Sequence, residues 1–184
     1  MLGAILRAEV NGRATMNVSD AIEHRISIRA FLDRPVPRDV IADILERAAR
    51  APSGGNLQPW RVYALTGAPL AELKAAVAAN PFGETPEYNV YPPDLWDPLR
   101  TRRYQNGEEL YAAIGIPRED KPARLRQLAK NGELFGAPVG IFFCLDRKVG
   151  PPQWADVGMF MQNVMLLAAE RGLDTCAQEY WARY

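Results

Sequence analysis

The sequence predicts an α+β or α/β fold, with helices packed around one sheet. Segments with helical periodicity outnumber strand-like segments, and the strand-like segments lie far apart along the chain. The 184 residues, of which 48% are hydrophobic, are enough to form a core. One domain is the default at this length, although two small ones would fit it. We expect a flexible extension over residues 1–18 and a single domain over residues 19–184.

The first half of the domain is predicted to contain three helices and a strand. Ser19 can cap a short helix, after which the chain becomes an alternating, extended run. Pro37 suits the first turn of a helix over residues 38–50, where apolar residues recur with a period of 3.6. Trp60–Thr66 has the composition of a strand, and Ala68–Ala79 has that of a helix.

The second half is predicted to begin with a long loop, because residues 81–98 hold five prolines and several aromatic side chains. An apolar run starting at Pro138 is typical of a central strand. A later helix is apolar around its whole circumference, so it is buried on more than one side, and Gly172 fits its C-terminal cap. Helices are expected at 98–114, 118–131 and 156–171, and strands at 138–145 and 173–177.

Charge and residue usage disfavour several classes of function. The 22 basic and 22 acidic residues balance, which removes the electrostatic argument for a nucleic-acid or membrane-surface partner. No run approaches a membrane span or a signal peptide, so we expect a cytoplasmic protein. His24 is the single histidine, and neither Cys144 nor Cys176 has a neighbouring cysteine. Triad hydrolysis, a metal site and a disulfide framework are therefore disfavoured.

The run from Arg25 to Arg29 is a candidate phosphate site. If the segment is extended, Arg25, Ser27 and Arg29 point to one side and the isoleucines between them to the other. The guanidinium group is planar, permanently charged and rich in donors, which matches a phosphate. On this pattern alone, a strand whose arginines face water is the alternative.

The loop that begins at Ser53 could approach a planar ligand. Gly54 and Gly55 allow unusual backbone angles and close contact with the main chain. Asn56 and Gln58 each offer a donor and an acceptor, as a pyrimidine-dione edge or a ribityl hydroxyl requires. A polar turn between a helix and a strand is the alternative. Neither a Rossmann glycine motif nor a P-loop occurs in the sequence.

In this order, the motifs resemble those of the FMN-dependent nitroreductase family. They are Arg-x-Ser-x-Arg-x-Phe, Pro-Ser-Gly-Gly-Asn-x-Gln-Pro-Trp, Phe-Gly-Ala-Pro before the apolar strand, and Gly-Leu-Asp-Thr-Cys before Gln178. The resemblance extends from about Ser19 to the last residue. It implies an α+β nitroreductase-like fold, with a mixed central sheet surrounded by helices, in a homodimer that holds FMN at its interface.

The resemblance also implies an oxidoreductase that uses NAD(P)H to reduce nitroaromatic, quinone or similar acceptors by ping-pong hydride transfer. The chemistry would take place on the flavin, without a catalytic side chain. The arginine segment (Arg25–Arg29) would bind the phosphate, ribityl chain and pyrimidine edge, and the glycine loop (Ser53–Trp60) of the other subunit would cover the rings. The backbone near Glu179 would approach the flavin N5 and O4 edge, and Asn131 is either a polar flavin contact or a helix-end cap. The cofactor-binding candidates are Arg25, Ser27, Arg29, Ser53, Gly54, Asn56, Gln58, Asn131, Gln178 and Glu179.

Two features leave alternatives open. The family continues beyond the position of Tyr184 with a segment that supplies a last strand and basic residues for the phosphate, so we expect weaker FMN binding here. A non-catalytic or weakly flavin-binding truncated relative, or a flavin-fold enzyme of the dehalogenase or flavin-remodelling type, is therefore the second hypothesis. The aromatic loop Phe82–Trp96 and the cluster Arg102–Tyr104 either shape an acceptor pocket or form an ordinary packed loop and a solvated helix face.

Overall fold

The computed structural model describes residues 16–81, 83–85 and 88–184. Most of the expected extension, and Phe82 of the predicted aromatic loop, lie outside these residues, and the domain boundaries stay predictions. The chain divides into two compact units, which are described separately. The larger unit contains the described residues up to Leu73 and the segment Leu134–Ala177, and the smaller contains Lys74–Glu133 and Gln178–Tyr184.

The larger unit begins with helix α1, Val18–His24. Its cap is Asn17, so the prediction of a Ser19 cap is wrong. The Asp20 N–H donates to Asn17 Oδ1 at 3.0 Å, and the Asn17 N–H donates to Asp20 Oδ2 at 3.4 Å. This reciprocal pair satisfies two backbone donors at once, which a cap at Ser19 would not do. Helix α2, Arg38–Ala48, starts directly after Pro37 and ends two residues earlier than predicted.

The sheet of the larger unit has two strands, β1 (Arg61–Thr66) and β2 (Val139–Cys144). They pair antiparallel, with Arg61 opposite Cys144 and Thr66 opposite Val139. The strand predictions at 60–66 and 138–145 are confirmed, although β2 has one neighbouring strand in the described residues rather than the two of a central strand. Its apolar character has another cause, because Ile141 and Phe143 pack against the helical core.

Helix α6, Pro151–Glu170, is the longest helix that the structure describes, and it starts five residues before its predicted start. Prolines are tolerated in the first turn, where N–H groups lack helical partners, and the Gly150 N–H donates to Gln153 Oε1 at 3.0 Å. Gly172 follows the helix with a φ of +69°, as its predicted capping role requires. The core cluster of the larger unit combines α2, the residue Ala51 and α6: Ile44, Ala48, Ala51, Phe160, Val164 and Ala168.

Three further helices follow β1 in the chain. Helix α3 spans Gly67–Ala79, α4 spans Leu99–Ala113 and α5 spans Lys121–Ala129. Helix α5 starts three residues later than predicted because Asp120 caps it, accepting the Ala123 N–H at 2.9 Å. Glu108 on α4 accepts two hydrogen bonds from Arg124 on α5, at 2.7 and 3.0 Å, which joins these helices in the smaller unit.

The described residues between α3 and α4 contain no helix or strand, which confirms the predicted long loop. A short 3-10 turn, Tyr180–Arg183, closes the described chain. No helix within the described ranges combines the length and the apolar character that crossing a bilayer demands.

Candidate functional site

The arginine segment is extended, as predicted, and it is attached to the chain that follows α6. Ser27 forms a parallel bridge with Thr175, and the Ile28 N–H donates to the Thr175 carbonyl at 3.1 Å. The predicted strand at 173–177 is reduced to this bridge. Arg25, Ser27 and Arg29 are half-buried. Ile26 between them is 56% exposed, whereas Ile28 is half-buried like the polar positions.

The two arginines of this segment have no anionic partner in the part of the chain that the structure describes. Among the residues that the structure describes, neither Arg25 nor Arg29 forms an ion pair, and Arg29 Nη1 reaches only the Ser27 carbonyl, at 3.4 Å. Withdrawing a charge from water is costly unless a counter-charge replaces the solvent. Two half-buried guanidinium groups on one extended segment therefore fit an anionic ligand such as a phosphate.

Arg29 also acts on Cys176, one residue beyond the bridge. Burial raises the pKa of the Cys176 thiol, and the positive charge of Arg29 partly opposes that rise. The thiol is thus a nearby reporter of the electrostatic state of Arg29.

The glycine loop has a strained backbone that hydrogen bonds hold in place. Gly55, Asn56 and Gln58 have φ values of +59°, +55° and +46°, in the left-handed region that side chains other than glycine rarely adopt. The Gln58 N–H donates to Ser53 Oγ at 2.9 Å, and Gln58 Nε2 donates to Asn56 Oδ1 at 2.9 Å. The Asn56 and Gln58 side chains therefore bind each other, and both remain exposed.

A residue that the sequence reasoning missed lies next to this loop. The Gly54 N–H points at Asp156 Oδ2 on α6, at 3.4 Å. In the sequence, Asp156 stands out only as the first residue of the predicted helix 156–171. Its acidic side chain at the start of that apolar helix is the one signal that could have identified it.

In the smaller unit, two candidates bind each other. Gln178 Nε2 donates to Asn131 Oδ1 at 2.9 Å and to the Asn131 carbonyl at 3.2 Å. Asn131 Nδ2 donates to the Leu128 carbonyl at 2.8 Å, so the helix-end alternative describes what this side chain does. Trp181 Nε1 donates to Gln178 Oε1 at 3.2 Å. These contacts fix the backbone that leads into Glu179, whose side chain is exposed.

Tyr91 interacts with both Glu179 and Arg103. Burial is the main reason why the pKa of Tyr91 is raised, and the hydrogen bond with Glu179 raises that pKa further. The Arg103 guanidinium lies over the Tyr91 ring, 4.1 Å from its centroid, in cation–π contact. Sequence patterns alone do not associate these three residues.

Arg103 also lines a cavity of about 780 Å³ between the aromatic loop and α4. Of the cluster predicted to shape an acceptor pocket, Arg103 and Tyr104 line the cavity and Arg102 does not. The negative charges of two lining acids are already paired: Asp97 accepts from Arg100 at 2.5 Å, and Glu108 accepts from Arg124. Hydrogen bonds with Thr101 and Arg100 hold the pKa of Asp97 below its usual value.

The candidates are thus split between the two units. Those from Arg25 to Gln58 lie in the larger unit, and Asn131, Gln178 and Glu179 lie in the smaller one. Within the larger unit, the bridge and the loop bonds organise each predicted segment. Within the smaller unit, the hydrogen bonds of Gln178 bring two of the three candidates into contact.

Comparison with known proteins gives one consistent result. The model of the nitroreductase family matches residues 22–184. The chain is 40% identical over 169 residues to a nitrobenzene nitroreductase of Ectopseudomonas oleovorans, covering 90% of this chain and 74% of that protein. It is 38% identical over 165 residues to a 4-nitrobenzoate reductase of Pseudomonas putida, covering 89% and 72%.

Solved structures agree with the sequence relatives. The crystal structure of an FMN- and NADPH-dependent nitroreductase, NfnB from Sphigopyxis sp. strain HMH, superposes with a TM-score of 0.88 at 50% identity. The match covers 91% of this chain and 77% of that one.

Proposed function

Because this chain belongs to the nitroreductase family, we propose that it is an FMN-dependent oxidoreductase that uses NAD(P)H to reduce nitroaromatic, quinone or similar acceptors. The relatives named for nitrobenzene and 4-nitrobenzoate support the acceptor class. The FMN- and NADPH-dependent structural neighbour supports the two cofactors. A cytoplasmic location stays a prediction.

The observation that carries this proposal is the unpaired charge of the arginine segment. Arg25 and Arg29 are half-buried on one extended segment, and no acid among the described residues pairs with either. The phosphate of FMN supplies the missing negative charge, and Ser27 adds a hydroxyl between the two guanidinium groups. A structural strand with solvated arginines would place these side chains further into water.

The remaining candidates would hold the rings of the cofactor. Ser53, Gly54, Asn56 and Gln58 present backbone and amide groups on an exposed loop that is already fixed in shape by its own hydrogen bonds. The segment at Gln178 and Glu179 would offer its backbone to the ring edge, and the Asn131 contact would position that backbone.

When bound, FMN supplies the hydride chemistry, so the protein has no need of a catalytic acid or nucleophile. The chain's own residues bind, orient and shield the ligand. Guanidinium groups also favour added negative charge nearby, which lowers the cost of reduction at the site.

We further propose a homodimer in which the site is completed by the second subunit. Ile26, inside the arginine segment, is 56% exposed, and Leu57, inside the glycine loop, is 63% exposed. Large apolar side chains that face water within functional segments favour a protein partner that covers them. The oligomeric state can be measured by sedimentation equilibrium with and without FMN.

The test is turnover with the cofactor supplied. Without oxygen, purified protein saturated with FMN should oxidise NADH or NADPH over many turnovers only when nitrobenzene or a quinone is present, with the parallel double-reciprocal lines of a ping-pong cycle. Folded protein that oxidises neither nucleotide would support the non-catalytic alternative. Halide release from a halogenated aromatic compound, with nitrobenzene inert, would support the dehalogenase type.

A further inference from the structure

Asp156 is an unusual feature of the larger unit. It is 6% exposed and is the one charged side chain in the buried class among the residues that the structure describes. It lies on the second turn of α6, which forms the core with α2. Its hydrogen-bond donor among the described residues is the backbone N–H of Gly54, at 3.4 Å.

The stability of the core does not explain this residue. A buried carboxylate loses its hydration, and an ion pair or several hydrogen bonds are needed to offset that loss. Asp156 has no ion pair in the described part of the chain, and one backbone donor is weak compensation. Asp156 is not among the side chains of the core cluster, and replacing a weakly paired buried carboxylate by an apolar side chain of similar size is often neutral or stabilising.

The contact that Asp156 makes with the glycine loop offers another explanation for its position. Gln58 adopts a left-handed backbone angle that glycine and asparagine tolerate but its own side chain disfavours, so this part of the loop needs contacts that hold its shape. The bond between Ser53 and Gln58 closes the loop, and Asp156 is the contact that orients the Gly54 peptide from the core side. A separation of 3.4 Å exceeds the usual range of about 2.7–3.2 Å for an N–H···O bond, which leaves room for it to shorten.

We propose that Asp156 is a positioning residue, which fixes the Gly54 peptide so that the glycine loop is preorganised to cover the flavin. This inference rests on the proposed function, since it assigns the loop to FMN. Preorganisation lowers the ordering cost of binding, because the loop is shaped before the ligand arrives. Asp156 itself need not touch the cofactor.

The experiment compares Asp156→Leu, Asp156→Asn and Asp156→Ala with a control, Glu170→Gln, which removes an exposed acid at the end of the same helix. Asp156→Leu removes the buried charge, so the apo protein should unfold at an equal or higher temperature, while FMN binds about tenfold more weakly. Asp156→Asn keeps an acceptor oxygen and should stay within about threefold of the unmodified chain. The control should change neither quantity.

A second readout does not depend on FMN. Amide hydrogen exchange at Gly54 in the apo protein should accelerate in the leucine and alanine variants and stay unchanged in the asparagine variant. FMN should slow this exchange in the unmodified protein, as the hydrogen bond shortens.

The outcomes separate the two proposals. If the unmodified chain fails to bind FMN, the proposed function is wrong, and the apo exchange data still decide whether Asp156 orients the loop. If the chain binds FMN and Asp156→Leu binds it equally well, the inference is wrong. A parallel loss of apo stability and FMN affinity in every variant would assign Asp156 a purely structural role and overturn it too. Should the leucine variant fail to fold, Asp156→Ala against Asp156→Asn provides the same comparison.

Discussion

The ring centroids of Trp60 and Phe160 lie 4.9 Å apart, with the ring planes tilted by 43°. Trp60 ends the glycine loop, and Phe160 is the large side chain of α6 that is 2% exposed. Phe143 of β2 packs edge-on against the same ring, at 5.4 Å and 89°. One buried ring thus joins the loop, the sheet and the central helix of the larger unit, so the loop has a rigid base.

We expect Phe160→Ala to lower the free energy of unfolding by about 3–5 kcal/mol, because it leaves a cavity under Trp60 and Phe143. Guanidinium denaturation followed by Trp fluorescence and by far-UV circular dichroism measures this loss. Phe160→Leu retains most of the volume and should lose clearly less. A loss below about 1 kcal/mol for the alanine variant would show that this ring is not central to the core.

The double change Arg25→Ala with Arg29→Ala should weaken FMN binding by about a hundredfold or more, because two charge-assisted hydrogen bonds to phosphate disappear. Riboflavin, which has no phosphate, should lose far less affinity. Fluorescence titration with both flavins measures the difference. The matched control removes Arg34 and Arg50, two exposed arginines of the same unit, and equal losses in both double variants would reject the phosphate assignment.

Cys176 reports on Arg29 through its pKa. Burial raises the pKa of the Cys176 thiol, and the positive charge of Arg29 lowers it. Arg29→Ala should therefore raise the pKa of Cys176 further. The thiolate is the reactive form, so alkylation by iodoacetamide should require a higher pH. The measurement uses a Cys144→Ser background, since Cys144 is the exposed thiol.

The same reporter can locate the phosphate. If FMN places its phosphate against Arg29, bound FMN should move the alkylation midpoint of Cys176 to higher pH, whereas bound riboflavin should not. Identical shifts with the two flavins would mean that shielding by the rings, and not neutralised charge, controls the thiol.

Arg103 is expected to set the preference for charged acceptors. Arg103 lines the cavity beside α4, and its partner among the described residues is the Tyr91 ring. The two acids Asp97 and Glu108 of the same cavity are already paired with other arginines. Arg103→Gln should raise KM for 4-nitrobenzoate by about tenfold and leave KM for nitrobenzene nearly unchanged, because only the first carries a carboxylate. Arg102→Gln is the control on the same helix.

Asp94 lines the cavity too, and its negative charge repels a carboxylate, so Asp94→Asn should lower KM for 4-nitrobenzoate.

These KM values also test whether Arg103 binds the carboxylate of the acceptor or the phosphate of the nucleotide. A loss of NADPH affinity in Arg103→Gln, with NADH and nitrobenzoate unaffected, would assign Arg103 to a nucleotide phosphate instead of the acceptor. Equal changes for nitrobenzoate and nitrobenzene would mean that Arg103 shapes the cavity without reading charge.

Local patterns were sufficient for much of the fold. The strands at Arg61–Thr66 and Val139–Cys144 and the cap at Gly172 follow from short-range signals, namely alternation, an apolar run and a glycine directly after the last helical residue. Helix starts were less predictable where two caps compete, as at Asn17 and Ser19. Pairing was not predictable either, so the strand expected at 173–177 proved to be a single bridge between Thr175 and Ser27.

The sequence by itself determined which side chains this protein offers: a pair of arginines around a serine, a glycine loop with amides, and too few histidines for hydrolytic chemistry. Those properties are local, because they depend on residue type and spacing. Only the tertiary structure decided that both arginines are half-buried with no acid paired to them in the described ranges, that Asp156 lies beneath Gly54, and that Arg103 covers Tyr91. Each of these facts depends on which distant segments meet, and burial and pairing of charge are set by those long-range contacts alone.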